Sequence, residues 1–267
     1  MIVSVSRRCD IPRFQFKWFL ERLNAGFANA VNPYNSRQIK RVSLLPEEAV
    51  IVFWTRDPRN ILAHADELVT RGFRFYVMTT VTAYPNALEP NMPRTSKVLK
   101  AMRELSQKIG PDRVIWRYDP ILLSKITDEN FHRENFNSLA QNLAGSVWRI
   151  IISMYNEYRG SKQRLEALEK MGILSLIDAD IAGLLSDMAK SAEEAGMEIQ
   201  SCAGKEDYTS FGVKPGACID SALIGKLWGL EIKGKDKNQR PSCLCCQSPD
   251  IGAYGLCSAN CVYCYAC

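Results

Sequence analysis

The sequence predicts an α/β protein of the TIM-like (β/α) barrel type, complete or incomplete, with a C-terminal cysteine-rich tail folding over the barrel rim. Three observations predict it. Short, nearly continuous apolar and β-branched runs recur along the chain, as strands buried on both faces should. Amphipathic helical patterns lie between most of them, and that alternation builds a parallel sheet with crossover helices. Polar residues cluster just after the runs, where a parallel barrel gathers its active-site rim. The chain has 267 residues and is 46% hydrophobic, enough for one large core.

The elements follow in order. "MIVSVS" (1–6) reads as a first strand, because no positively charged segment precedes an apolar stretch as in a signal peptide. "SRRCD" (6–10) follows it, then the helical pattern "FQFKWFLERLNAG" (14–26). "FANAV" (27–31) is a second strand with "NPYN" (32–35) at its end, and "RQIKRVSL" (37–44) is an inserted strand. "AVIVFWT" (49–55) runs into "TRDP" (55–58) and the helix "PRNILAHADELVTRG" (58–72). "FRFYVMTTV" (73–81) ends in "TVTAYP" (80–85), before the helix "TSKVLKAMRELSQKIG" (95–110). "RVIWRY" (113–118) ends in "RYDP" (117–120). Thr127 caps a helix over 127–145, with Asp128 and Glu129 in its first turn and Gly145 past its end. "WRIIISMY" (148–155) ends in "SMYNEY" (153–158), a helical region spans 161–195, and "MEIQSCA" (197–203) brings Cys202 to the rim. The barrel is thus assigned to 1–203 and the cysteine-rich tail to 204–267. A flat doubly wound sheet is the alternative arrangement of the same elements.

If the strand ends share one rim, Arg7, Arg8, Asp10, Asn32, Arg56, Asp57, Arg117 and Asp119 surround one cavity. Asp57-Pro58 and Asp119-Pro120 also suit simple turns or helix starts. The four arginines are candidates for anionic groups. Asp10 and Asp119 are candidates for hydroxyl or amino groups.

Composition narrows the partners. No run of about 18 apolar residues exists to span a membrane, so the expected location is the cytoplasm. The net charge of +5 is mild and indicates no polyanion. The basic run "KGKDKNQR" (233–240) suits a solvated linker, and the five tryptophans fall in core elements. A nucleic-acid partner is therefore not expected. His64 and His132 sit in helical stretches and read as surface residues without a chemical role, so any metal site is built of thiolates.

Of ten cysteines, nine lie from Cys202 to Cys267. In a reducing compartment such a concentration points to metal binding or catalysis rather than disulfides. The tail reads C-S-A-N-C-V-Y-C from Cys257 through Cys261 to Cys264. Three thiolates this close can hold three irons of a [4Fe–4S] cube and leave the fourth iron open to a ligand, as an open zinc site is.

This CX3CX2C spacing, with Tyr263 before its last cysteine, resembles the signature of radical S-adenosylmethionine (SAM) enzymes. The resemblance implies that Cys257, Cys261 and Cys264 bind the cluster and that SAM binds the open iron. Reduction of SAM there yields a 5′-deoxyadenosyl radical. It also implies that Tyr263 lies near the adenine. By their place on the rim, Asn32 and Arg56 are candidates for further cofactor contacts. Arg7, Arg8, Asp10, Arg117 and Asp119 would serve the substrate, and an electron donor such as flavodoxin or ferredoxin would be needed. The superfamily carries its motif near the N-terminus, after the first strand, whereas this motif is C-terminal. That order, with "SRRCDIP", "VFWTRDP", "VIWRYDPIL", "SPDIGAYGLC" and "CVYCYA", is similar to domain-of-unknown-function family eighteen-forty-eight over nearly the whole chain. The family resemblance implies an architecture and a cluster but no substrate.

Cys202, Cys218 and Cys243, with either Cys245 or Cys246, form a second candidate set for an auxiliary [4Fe–4S] cluster or a zinc ion. Cys9 reads as packed, and Cys267 as a ligand or a free thiol. The competing reading is a zinc-stapled barrel with a non-radical or binding role. A ferredoxin-like electron carrier is a third, which a whole barrel exceeds.

Overall fold

The computed structural model describes residues 1–177, 179, 181–204 and 206–266. Its strands are β1 (Ile2–Val5), β2 (Phe27–Asn32), β3 (Asn35–Ser43), β4 (Val50–Thr55), β5 (Arg74–Thr80), β6 (Val114–Ile121), β7 (Arg149–Met154), β8 (Glu198–Cys202) and β9 (Lys214–Gly216). Seven of them form one sheet in the order β1-β4-β5-β6-β7-β8-β9, and every neighbouring pair is parallel. The sheet therefore winds in one direction, as a barrel does. It does not close: among the described residues β9 and β1 are its two edges and do not pair. Of the complete and incomplete forms expected, the complete one is thus ruled out, and the fold is an open, singly wound parallel sheet.

Two strand assignments also change. The run 27–31 is not a barrel strand; β2 pairs antiparallel with β3 in a separate hairpin. β2 alternates buried and exposed positions and most of β3 is exposed, the pattern of a ribbon outside the core. In the sheet β1 pairs directly with β4, and the seventh strand is β9 at the opposite edge, whose three residues include Pro215, a residue confined to sheet edges because it lacks an N–H donor.

Strands of the sheet are buried on both faces, which explains their continuous apolar runs. On the outer face Val3, Val5, Ile51, Phe53, Phe75, Val77, Trp116 and Ile150 pack against helices. On the concave face Ile2, Val50, Val52, Trp54, Tyr76, Met78, Ile115 and Ile151 form a second cluster. That cluster is completed by the C-terminal part of the chain: Ile219, Leu223, Ile224, Cys218, Cys243, Cys245 and Cys246. The sheet's hollow is thus filled by its own tail.

The tail also bridges the open side. At one edge Cys246 N–H donates to Ile219 O at 3.0 Å, just past β9. At the other, Ser4 N–H donates to Pro249 O at 2.9 Å and Ile251 N–H to Ser4 O at 3.2 Å, a parallel bridge of Asp250 with β1.

Several helices differ in their ends. The 161–195 region is two helices, Arg159–Lys170 and Ile181–Glu194. The helix assigned to 127–145 spans Glu129–Leu143 and is capped by Asp128, whose side chain accepts from Phe131 N–H; Thr127 instead donates its hydroxyl to Leu122 O at 2.7 Å. His132 on that helix is fully buried rather than at the surface. Its ring nitrogens meet Tyr118 Oη at 2.8 Å and Leu122 O at 3.2 Å. Among the described residues, no helix is long and apolar enough to cross a membrane.

Candidate functional site

The ends of the parallel strands open onto a cavity of about 1480 Å³. The tail folds across it. Val262 N–H donates to Leu88 O at 3.0 Å, Asn91 Nδ2 to Ser258 O at 3.0 Å, and Tyr265 Oη to Arg7 O at 2.7 Å. Arg164, from the helix Arg159–Lys170, donates to Val262 O at 2.9 Å and also to Cys264 O. Loop, helix and first strand all hold the tail.

Its anchor is Asp250, buried against β1. The carboxylate accepts from Ser4 Oγ at 2.9 Å, Arg7 N–H at 2.7 Å, Gly252 N–H at 2.9 Å and Ser6 Oγ. Arg7 Nε adds an ion pair at 3.7 Å. Gly252 is required by close approach: a Cβ there would stand 2.1 Å from Ser6 Oγ and 2.8 Å from Cys9 Sγ.

The tail thiols Cys257, Cys261 and Cys264 all line the cavity, and each is within electrostatic reach of the others. Burial raises the Cys257 thiol and pushes Cys261 up to about 11, against the pull of the Arg56 charge. Cys9, also in the cavity wall, is raised by burial to about 11.

Beneath the tail thiols lies a buried polar network. Arg56 Nη1 donates to Glu89 Oε1 at 2.7 Å and to Thr82 Oγ1 at 3.2 Å. Tyr263 Oη joins both Arg56 and Glu89. The Tyr263 ring meets Tyr84 edge-on at 5.8 Å. Burial works against the Arg56 charge, yet Glu89 and Tyr263 hold its pKa above the ordinary value.

All the predicted rim residues except Asp57 line this cavity, but they differ in what they have left to offer. Asp10 accepts from Thr55 Oγ1 at 2.7 Å, Arg56 N–H at 2.8 Å and Arg13 N–H at 3.0 Å; burial nevertheless pushes it up to about 6. Asp57 pairs with Arg59 at the next helix start. Asn32 lies at the hairpin turn, bonded to Gln38 at 2.7 Å. Arg8 reaches Val31 O at 3.0 Å. Arg117 pairs with Asp119, which also accepts from Ser153. Arg117 Nε and Trp54 Nε1 are buried with no partner among the described residues, and the guanidinium lies 4.8 Å from the Trp54 ring centre.

A second thiol set sits deeper. The sulfurs of Cys202, Cys218 and Cys245 lie within 4.8 Å of one another and can hold a metal ion. The Cys218–Cys202 sulfur separation is 3.1 Å, and Ile219 N–H donates to Cys245 Sγ at 3.4 Å. Hydrogen bonds from Cys218 and Cys245 hold the Cys202 thiol below its ordinary value. Cys243 is buried in the same cluster but stands outside this group of three. Cys245, not Cys246, therefore joins the set. Cys267 lies outside the described residues.

Sequence reasoning assigned no site role to Glu89, Thr82 or Asp250. Nothing local marks Glu89: its role exists only once the tail brings Tyr263 to it. Asp250 carried a weak signal, an acidic residue two positions before a glycine.

A family model described as Domain of unknown function (DUF1848) matches residues 2–266, so the chain belongs to that family. No curated protein matches it. Among solved structures it is similar to one of the tandem GH20 catalytic modules of the pneumococcal exo-beta-D-N-acetylglucosaminidase StrH, at 11% identity and a TM-score of 0.27. It is likewise similar to a second StrH structure, on inhibition and N-glycan recognition and hydrolysis, at 10% identity and a TM-score of 0.27. Each match covers 75% of this chain and 52% of the other, so the chain spans about half the length of these proteins. A likeness this slight bears on neither fold nor function.

Proposed function

We propose that this chain is a radical SAM-type iron–sulfur enzyme. Cys257, Cys261 and Cys264 hold a [4Fe–4S] cluster, SAM binds the open iron, and the rim cavity takes a small-molecule substrate. The observation that carries the reading is the place of the tail beside β1. Segment 249–251 runs parallel to β1 through the Asp250–Ser4 bridge, and the cysteine motif follows it. In the radical SAM superfamily the motif follows the first strand. Here a strand-like segment at the first edge of a parallel sheet again precedes it, and only the order along the chain is permuted. Such permutation is tolerated because chain ends lie at the surface of a fold.

The residues present fit such a cluster: three cavity-lining thiols of one short loop, of which Cys257 and Cys261 are raised by burial. Metal ligation requires their thiolates, so loading releases protons. When bound, the cluster and SAM supply a one-electron reduction of a sulfonium at the cavity wall. The chain's own residues position and shield. Arg56 and Glu89 fix the Tyr263 hydroxyl, which keeps that ring beside the thiols. Arg117 and Trp54 line the cavity and carry buried donors unmet among the described residues, so an acceptor-bearing substrate that draws them toward the cavity would satisfy them, since unmet buried donors are costly. An electron donor such as flavodoxin or ferredoxin supplies the reduction.

The test is iron, acid-labile sulfide and zinc per chain in anaerobically purified protein, with electron paramagnetic resonance after reduction and again after adding SAM. A reducible [4Fe–4S] signal that shifts with SAM is expected, and is lost in Cys261→Ser. Protein that takes up no iron or sulfide on reconstitution, or a signal indifferent to SAM, sinks the reading.

A further inference from the structure

We infer that Cys202, Cys218, Cys245 and Cys243 form a mononuclear, four-thiolate zinc site that clasps the tail across the open side of the sheet. The site goes beyond the radical SAM reading and does not depend on it. The argument is one of distance. Four thiolates on one Zn²⁺ sit about 2.3 Å from the metal, so neighbouring sulfurs are about 3.8 Å apart along a tetrahedral edge. Cys202 and Cys218 are separated by 3.1 Å, and these two with Cys245 lie within 4.8 Å of one another. One ion can bond all three. In a [4Fe–4S] cube each thiolate occupies a different iron and points outward from a separate corner, which holds the sulfurs farther apart. Among the described residues, the tail thiols form no group as tight as this one. The two sets therefore suit different guests.

The fourth ligand is at hand. Cys243 stands outside the group of three, yet it lies two residues before Cys245 on the same strap, is buried in the same cluster and lines the same cavity, so metal binding would draw it in as the fourth ligand. Four protein thiolates leave no open position, the mark of a structural rather than a catalytic zinc site. Outer contacts fix each ligand loop. Tyr76 Oη donates to Cys218 O at 2.8 Å, Ile219 N–H donates to Cys245 Sγ at 3.4 Å, and Cys243 N–H donates to Arg240 O at 2.9 Å. Such second contacts orient metal ligands and are part of a built site. The bound site would carry a net negative charge. Arg117, whose charge reaches both Cys202 and Cys218, lies near enough to balance part of it.

The topology gives the site its purpose. Cys202 ends β8 at one side of the gap, Cys218 follows β9, and Cys243 and Cys245 belong to the strap that leads to Asp250 on β1. One ion would join what the sheet's own hydrogen bonds leave open, and would hold the strap that carries the tail thiols.

The experiment uses the full chain in two forms. In the Cys257→Ser/Cys261→Ser/Cys264→Ser variant, about one zinc per chain is expected, with neither iron nor sulfide. In the wild-type chain, zinc-edge X-ray absorption should show about four sulfur neighbours at about 2.3 Å, a readout that needs no variant to fold. Iron and sulfide in cube proportion in the triple variant, without zinc, would overturn the assignment in favour of a second cluster. So would metal-free protein with a Cys202–Cys218 disulfide, or zinc bound through nitrogen or oxygen. Loss of the SAM-sensitive signal from wild-type protein would refute the radical reading alone and leave this zinc intact.

Discussion

Asp250→Ala should release the tail from β1 while leaving the sheet folded. Its carboxylate is buried and accepts two fixed backbone donors, Arg7 N–H at 2.7 Å and Gly252 N–H at 2.9 Å, besides the Ser4 and Ser6 hydroxyls. The hydroxyls can turn to other acceptors, but the backbone donors cannot. Each buried donor left unmet costs roughly 1–3 kcal/mol, so the two together cost about 2–6 kcal/mol. The ion pair with Arg7 adds little to that, because Arg7 is partly exposed and 3.7 Å away. The middle of the range, about 4 kcal/mol, raises the population of undocked tail by nearly a thousandfold. Limited proteolysis should then cut after the 233–240 run at a much higher rate, while far-ultraviolet circular dichroism stays that of the wild type. Asp250→Asn should fall between, since one oxygen survives but an amide NH₂ now faces donors. A cleavage rate for Asp250→Ala within about threefold of wild type would refute the reasoning and transfer the hold on the tail to other contacts.

Gly252→Ala tests the same docking sterically. Its Cβ would collide with Ser6 Oγ at 2.1 Å and Cys9 Sγ at 2.8 Å, and overpacking of this kind costs about 1–3 kcal/mol; a lowered melting temperature and faster tail proteolysis are expected, and an unchanged profile would show that the strap moves freely. His132 makes stability sensitive to acid. Burial lowers its pKa to about 4, against about 6.5 when unfolded, so as pH falls through that window the unfolded chain takes up a proton that the folded chain refuses. Stability is then lost by about 2 kcal/mol between roughly pH 6.5 and pH 5. Asp10, pushed up to about 6 by burial, works in the opposite sense, so the quantity to measure is the difference in urea midpoint between wild type and His132→Gln across that range. A difference that does not change with pH would count against it.

What could be read before the fold was known follows from how local each cause is. Runs such as "AVIVFWT" announce β4 because both faces of that strand are buried, so no alternation interrupts them. "FANAV" looked the same in composition, yet β2 has one exposed face, and five residues with two alanines do not separate the cases. β9 was illegible: three residues, one of them proline, become a strand only by lying against β8. That the sheet stays open is a long-range matter too, since its gap is bridged by a strap from the C-terminal part of the chain. The cysteines were legible as candidate metal ligands from redox chemistry and density, and the fold gathers Cys202, Cys218 and Cys245 into one group that could hold an ion. Adjacent Cys245 and Cys246 could not be told apart, since only the fold places one sulfur near Cys202 and Cys218.

The polar rim illustrates why residue type alone does not assign a role. Asp10, Arg56 and Asp57 sit where a parallel sheet collects catalytic groups, but each is already committed. Asp10 takes three donors, Arg56 faces Glu89, and Asp57 faces Arg59. A buried carboxylate with its lone pairs in use can offer a substrate little without breaking those bonds, at about 1.5–3 kcal/mol for each charge-assisted one. Among the described residues that line the cavity, the groups with capacity to spare are those with unmet buried donors, Arg117 and Trp54. They stand side by side in the wall that both thiol sets share. Substrate selection should therefore be sought at Arg117 and Trp54, and the hold on the tail at Asp250 and Glu89. Arg117→Lys keeps the charge but removes Nε, so it should impair substrate turnover while leaving tail proteolysis and iron content as in wild type. Glu89→Gln should do the reverse, loosening the tail first. If both variants lost iron equally, the rim would be a single structural unit, and this division of labour would fail.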